Sequence, residues 1–274
     1  MTVMPDTLRP KHWRPAPLIS GSIALHIAAI AAAAVRPHIW PWALGAVMAD
    51  HLLLTAIGLW PRSSLLGANW TRLPQAAASR GAIAITLDDG PHPDITPRVL
   101  ELLDEHGAKA TFFCVGEKVR RYSELAREIV HRGHAIENHS QRHIHHFSIL
   151  GLRGLTEEIG RAQESITAIT GVAPRFFRAP AGLRNPLLDL VLTRLNLQLA
   201  SWTRRGFDTV SRNPGTVLSK LTRDLGGGDI LLLHDGQPGR NPSGRPVILE
   251  VLPRLLSAVS AAGLRPITLR AALT

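Results

Sequence analysis

Apolar residues are distributed in two different ways along this chain. Before Arg80 they form two nearly unbroken runs, LISGSIALHIAAIAAAAV and WPWALGAVMADHLLLTAIGLW, separated by RPHI. At about 1.5 Å of rise per residue, each run is long enough to cross the roughly 30 Å hydrocarbon core of a bilayer. The pair predicts a transmembrane helical hairpin. A cleavable leader would have Arg9, Lys11 and Arg14 as its basic start and Ala31 to Ala34 as its small-residue end, but a second apolar run directly behind the first argues for the hairpin.

Polar residues inside such runs need partners, because an ionised group at that depth costs several kcal/mol. His26 and Asp50 lie equally far from a turn centred near His38, so antiparallel helices bring them to one depth as a hydrogen-bonded pair. Arg9, Lys11 and Arg14 precede the hairpin, Arg62, Arg72 and Arg80 follow it, and the turn carries Arg36. By the positive-inside rule both ends are cytoplasmic, which puts the following domain on the cytoplasmic face of a bacterial-type inner membrane; the extracytoplasmic face is the alternative, because folded domains translocate whatever their charge.

Beyond Arg80 the pattern changes. Short runs of strand character (AIAITL, ATFFCV, HAIEN, RFFRA, LQLAS, DILLLH, RPITL) alternate with longer segments of helical period such as TPRVLELLDEHG, GLTEEIGRAQESITAITG and PVILEVLPRLLSAVSAAG. Strand, helix, strand repeated about seven times predicts an α/β fold with a parallel sheet, open or closed into a barrel. The domain division is then 1–62 for the hairpin, 63–80 for a linker and 81–274 for the α/β domain.

Charge narrows the partners. The net charge of +10 is spread over dispersed arginines, with no basic run interleaved with aromatics, so nucleic acid is excluded and anionic membrane lipid is the expected partner. Cys114 is the only cysteine, which rules out an intrachain disulfide or a thiolate zinc cluster; within ATFFCV it reads as a buried strand residue.

The chemistry-bearing residues fall at predicted strand ends: Asp88 and Asp89, His139 and His143, Arg178, and His234. Adjacent carboxylates in TLDDG repel unless a cation lies between them. The histidines of NHSQRH, four apart, face one side of a helical turn and would complete a two-histidine, one-carboxylate site for a divalent metal. His145 and His146 are rival ligands.

In order, TLDDG, HSQRH, RAPAG, SWTRRGFDT and LLH resemble the motifs of the polysaccharide deacetylases, the NodB-homology enzymes of carbohydrate esterase family 4. The resemblance covers about Ala82 to Leu269 and implies a distorted (β/α)7-type barrel and a hydrolase of N-acyl amide bonds. It implies Asp88 as general base, Arg178 as its partner, and His234 as general acid with Asp208 behind it. Asp89, His139 and His143 would hold the metal, most often Zn2+. Ala181 would supply an oxyanion N–H, Leu232 would line the acyl pocket, and Trp202 would be pocket wall or core.

Two positions depart from the family pattern. Ala181 and Thr209 stand where rings that stack on sugars are usual. That departure, with the hairpin, favours an N-acylated amino sugar presented by the membrane, such as a glycolipid or a polyprenyl-linked sugar. The alternatives are a wall or exopolysaccharide polymer as substrate, or a catalytically silent membrane protein that binds lipid or sugar.

Overall fold

The computed structural model describes residues 12–273; Arg9 and Lys11, used above for orientation, lie outside the described residues. Two long helices come first, α1 (Pro17–Val35) and α2 (Trp40–Gly58), antiparallel and joined by a 3-10 turn at Pro37–Ile39. Both are long and apolar enough to cross a membrane by length and composition. Their large side chains, among them Ile27, Ile30, Trp42 and Leu52, point outward and are exposed, the reverse of a soluble core helix.

The polar residues inside the hairpin pair differently from the sequence expectation. The hydroxyl of Ser22 donates to Asp50 Oδ2 at 2.6 Å. His26 stands 4.0 Å from the same oxygen, donates from Nδ1 to the Ser22 carbonyl at 2.8 Å, and meets His51 Nε2 at 3.3 Å. Ser22 lies one turn before His26 on the same helix face, and its short side chain reaches the carboxylate first.

Eight strands follow among the described residues: β1 (Ala82–Asp88), β2 (Ala110–Cys114), β3 (Ala135–Asn138), β4 (Phe176–Phe177), β5 (Gln198–Leu199), β6 (Arg204–Arg205), β7 (Ile230–His234) and β8 (Arg265–Pro266). All strand pairs are parallel, in the order β5-β4-β3-β2-β1-β7-β6, with β8 against the start of β1. The helices α3 (Gln75–Ala78), α4 (Thr96–Glu105), α5 (Gly116–Arg121), α6 (Ser123–His131), α7 (Leu152–Thr170), α8 (Leu188–Arg194), α9 (Pro214–Thr222) and α10 (Val247–Ala261) complete a curled α/β half-barrel.

Alternation along the strands builds two cores. Ile83, Ile85 and Leu87 of β1, with Leu231 and Leu233 of β7, pack against α4 and α10. The intervening residues, Ala82 and Ala84 with Ile230 and Leu232, face the barrel interior beside Phe113, Phe176 and Trp202. The same period of two carries Asp88 and His234, directly paired in register, to the interior face at the mouth.

The sheet departs from a regular barrel where β5 passes to β6 through four residues without a helix. That seam is filled by part of the stretch expected as a linker. Trp70 bridges Ala200, Arg72 bridges Asp229, and the Thr203 hydroxyl donates to the Thr71 carbonyl at 2.7 Å. Leu73 and Ala77 from the same stretch are buried in the interior core. Hydrophobic patterning misses this segment because its pairing runs through single bridges.

Candidate active site

Asp88 ends β1 and is buried, the residue being 4% exposed. Arg178, just beyond β4, donates from Nη1 to Asp88 Oδ1 at 2.6 Å and to the Thr86 hydroxyl oxygen at 2.7 Å. Its Nε and Nη2 donate to the carbonyls of Ala200 and Ser201, and its guanidinium lies 4.1 Å from the centre of the Phe113 ring. Small side chains on the inner face of β1 leave the space this guanidinium fills. Burial, and after it the charge of Arg205, pushes Arg178 down, and the Asp88 charge and hydrogen bond oppose that.

Asp89 has a φ of +69°, and its carboxylate and that of Asp88 both approach His139 Nε2, Asp88 Oδ2 at 3.9 Å. Asp89 Oδ1 lies 3.2 Å from His139 Nε2 and 3.1 Å from His143 Nε2. Ligand atoms of the three residues lie within 4.8 Å of one another. Burial raises the Asp89 carboxyl, but the hydrogen bond and charge of His139, then the charges of His143 and His234, hold it well below the usual range. Burial and the neighbouring His139 push His143 down, toward the neutral form a metal ligand needs.

The helical turn expected for His139 to His143 is absent. These residues form a loop with φ of +63° at Ser140 and +53° at His143. The Ser140 N–H donates to Asn138 Oδ1, the His143 N–H donates to Ser140 Oγ, and Arg142 anchors the loop to Glu158 of α7. The imidazoles converge through left-handed backbone rather than helical period. His139 Nδ1 donates to the Arg178 carbonyl at 2.8 Å, which fixes the ring with Nε2 directed at Asp89. His145 and His146 are exposed and lie outside the cluster.

On the opposite wall His234 ends β7. Its Nδ1 donates to Asp208 Oδ1 at 2.9 Å, and its backbone N–H donates to Asp208 Oδ2 at 2.8 Å. Burial lowers His234, but the Asp208 hydrogen bond and charge outweigh it, and the imidazole ends raised above its ordinary value. Asp88, Asp89, His139, His143, Ala181, Trp202, Leu232 and His234 all line one cleft of about 220 Å³.

Ala181 sits in a tight turn with a φ of +55°. The two backbone bonds there run from Gly182 N–H to Ala179 and from Leu183 N–H to Pro180, and neither uses the Ala181 N–H. Gly182, with a φ of +75°, packs so closely that a Cβ would lie 2.6 Å from Trp202 and 2.8 Å from Pro61. Trp202 is both core and cleft wall.

Arg205 and Gln237 also line the cleft and carried no sequence signal. A further unflagged group is Asp235, fully buried behind the DDG turn, where it accepts a hydrogen bond from the Thr96 hydroxyl. Burial pushes its carboxyl up to about 7. The adjacent Gly236 is required because a Cβ there would overlap the Asp89 carbonyl.

The polysaccharide deacetylase family model matches residues 75–200. A chitooligosaccharide deacetylase of Azorhizobium caulinodans is 33% identical over 192 residues, covering 68% of this chain and 91% of that protein. The chain belongs to the polysaccharide deacetylase family. It is a hydrolase acting on non-peptide amide bonds. A peptidoglycan-N-acetylglucosamine deacetylase of Bacillus cereus is 32% identical over 63% of this chain and 81% of its own length. Among solved structures, a family 4 carbohydrate esterase from Streptomyces lividans in complex with acetate superposes with a TM-score of 0.61 at 29% identity, covering 68% of this chain and 91% of that one.

Proposed function

We propose that this family member is a metal-dependent N-deacetylase of an amino sugar. The observation that carries this reading is one cleft holding three kinds of group: a metal-ligand cluster of Asp89, His139 and His143, a carboxylate fixed by Arg178, and an imidazole fixed by Asp208. Two imidazole nitrogens and one carboxylate oxygen with an open side suit Zn2+. A divalent ion held there would lower the pKa of water and stabilise negative charge developing on the acyl oxygen.

The remaining steps belong to the chain's own residues. Asp88, oriented by Arg178, takes the proton from the attacking water. The Ala181 N–H donates to the developing oxyanion. His234, held protonated by Asp208, gives its proton to the departing amine, while Leu232 and Trp202 wall the acyl methyl. Acetate release that requires metal and disappears in Asp88→Asn is the expected result; metal-independent release, or an active Asp88→Asn enzyme, would refute the scheme.

The substrate we favour is membrane-presented, with the hairpin in the bilayer and the catalytic domain at the cytoplasmic face. Two observations support it. The hairpin exposes apolar side chains along both helices. A mostly apolar cavity of about 650 Å³ also lies between hairpin and domain, lined in part by Ile19, Leu54, Leu59, Ile149 and Leu187. It also takes in Arg184, two residues beyond Gly182 of the catalytic cleft. Mass spectrometry of lipid-linked sugars from a deletion strain tests this; unchanged lipid-linked sugars with an altered wall polymer would replace the lipid-linked substrate by the polymer.

A further inference from the structure

We propose that Arg205 recognises a phosphate ester on the amino sugar, so that the site takes a phosphorylated N-acyl amino sugar; this rests on the deacetylase reading above. Three basic side chains near the cleft are committed to acceptors. Arg178 is bound to Asp88, Arg204 to Asp229 at 2.7 Å, and Lys118 to the Asp89 carbonyl at 2.7 Å. Arg205 lines the same cleft as the carboxylates and histidines, yet its side chain has no hydrogen-bond acceptor and no carboxylate partner among the described residues. Its Nε is buried and unpaired.

The guanidinium is positioned nonetheless. Its carbon lies 5.5 Å from the Trp202 ring centre and 4.9 Å from that of Phe207, so the aromatic faces hold it as a cation without neutralising it. Phe207 is 42% exposed and carries a second cation, with Lys220 Nζ 4.7 Å from its ring centre. A charge kept at a cleft mouth without a counter-ion, with a donor fork preset for planar oxygen pairs, suits an anionic ligand. Two cations about one exposed ring match the charge of a phosphate better than that of a single carboxylate.

The test uses the full chain, zinc-loaded in detergent, with N-acetylglucosamine, its 1-phosphate, N-acetylmuramic acid and a polyprenyl-phosphate-linked N-acetylglucosamine. The phosphorylated sugar should exceed the neutral one in kcat/KM by about tenfold or more, a factor within reach of one charged contact. Arg205→Ala should collapse that ratio toward one, chiefly through KM, and Arg205→Lys should keep part of it. Survival of the ratio in Arg205→Ala, or a preference for the carboxylate of muramic acid over phosphate, would overturn the proposal. A polyprenyl-linked sugar that outperforms the 1-phosphate would identify the lipid as the phosphate source, and equal rates would identify the soluble ester. Calorimetric binding separates the two readings: Arg205-dependent binding of the 1-phosphate without hydrolysis of any sugar would sink the deacetylase reading and retain the anion site.

Discussion

Arg178 Nη1 and Asp88 Oδ1 meet at 2.6 Å across 90 residues of sequence, both side chains almost wholly withdrawn from water. Removing one partner of such a pair leaves a buried charge with no compensation, which costs about 3–5 kcal/mol. Arg178→Met should therefore lower the unfolding midpoint and, by releasing the Asp88 carboxylate from its fixed position, reduce kcat on an N-acetyl sugar by about 10²–10⁴-fold. Arg178→Lys keeps the charge but loses the fork that reaches Ala200 and Ser201, and should fall between. Denaturant unfolding and steady-state kinetics on both variants check this; a wild-type rate in Arg178→Met would remove Asp88 from the role of base.

His234 is raised because its contact with Asp208 outweighs burial. A raised folded-state pKa keeps the imidazolium present at higher pH, so the proposed general acid stays charged further toward neutrality. The accompanying stability is complete below the ordinary histidine value and fades as pH rises through the raised one. Asp208→Asn should move the alkaline limb of the kcat/KM profile to lower pH and lower its plateau. An unmoved limb would assign that limb to another group.

His134, buried beside Phe112, is pushed down to about 4, first by burial and then by Lys109. Its Nδ1 accepts the Ala110 N–H, which holds β2 to the start of β3 with the ring neutral. A depressed value means stability present above the ordinary histidine pKa and lost as pH falls toward 4. His134→Phe should flatten the fall in thermal midpoint between about pH 6.5 and pH 4, read by circular dichroism. A mutant as acid-sensitive as the parent would place the sensitivity elsewhere.

Zinc added to chelator-stripped protein should raise the melting temperature. A ligand that binds only the folded chain contributes about 2.7 kcal/mol at a hundredfold excess over Kd. His143→Ala should abolish most of that increment while the stripped protein melts near the parent value, because His143 is partly exposed and lies in a loop. Calorimetry with and without zinc gives the answer, and an equal increment in parent and mutant would put the ion elsewhere.

Several strands and the chemistry at their ends could be read from the sequence because one period governs both. In AIAITLD and ILLLH every second residue faces the interior, and the last interior positions are Asp88 and His234. What escaped detection does not use that signal. Strand β6 is only Arg204 and Arg205, with no apolar alternation, and is held by pairing with β7 and by the Arg204 ion pair to Asp229. The loop from His139 to His143 has a spacing that imitates a helical turn, and only left-handed backbone at Ser140 and His143 distinguishes the two. Ser22 was missed because a hydroxyl in an apolar run leaves no mark until the facing helix supplies Asp50.

The close packing of Gly182 on Pro61 links the end of the hairpin to the cleft. The Pro61 carbonyl accepts hydrogen bonds from the Ser201 hydroxyl and the Asn69 amide, and the Arg184 N–H reaches the carbonyl of Gly58. A shortened version meant for aqueous work must therefore begin upstream of Gly58. A cut after Pro61 would unseat the Trp202 wall and loosen the turn at Ala181, and an inert truncated protein would then report a missing buttress rather than a missing hairpin.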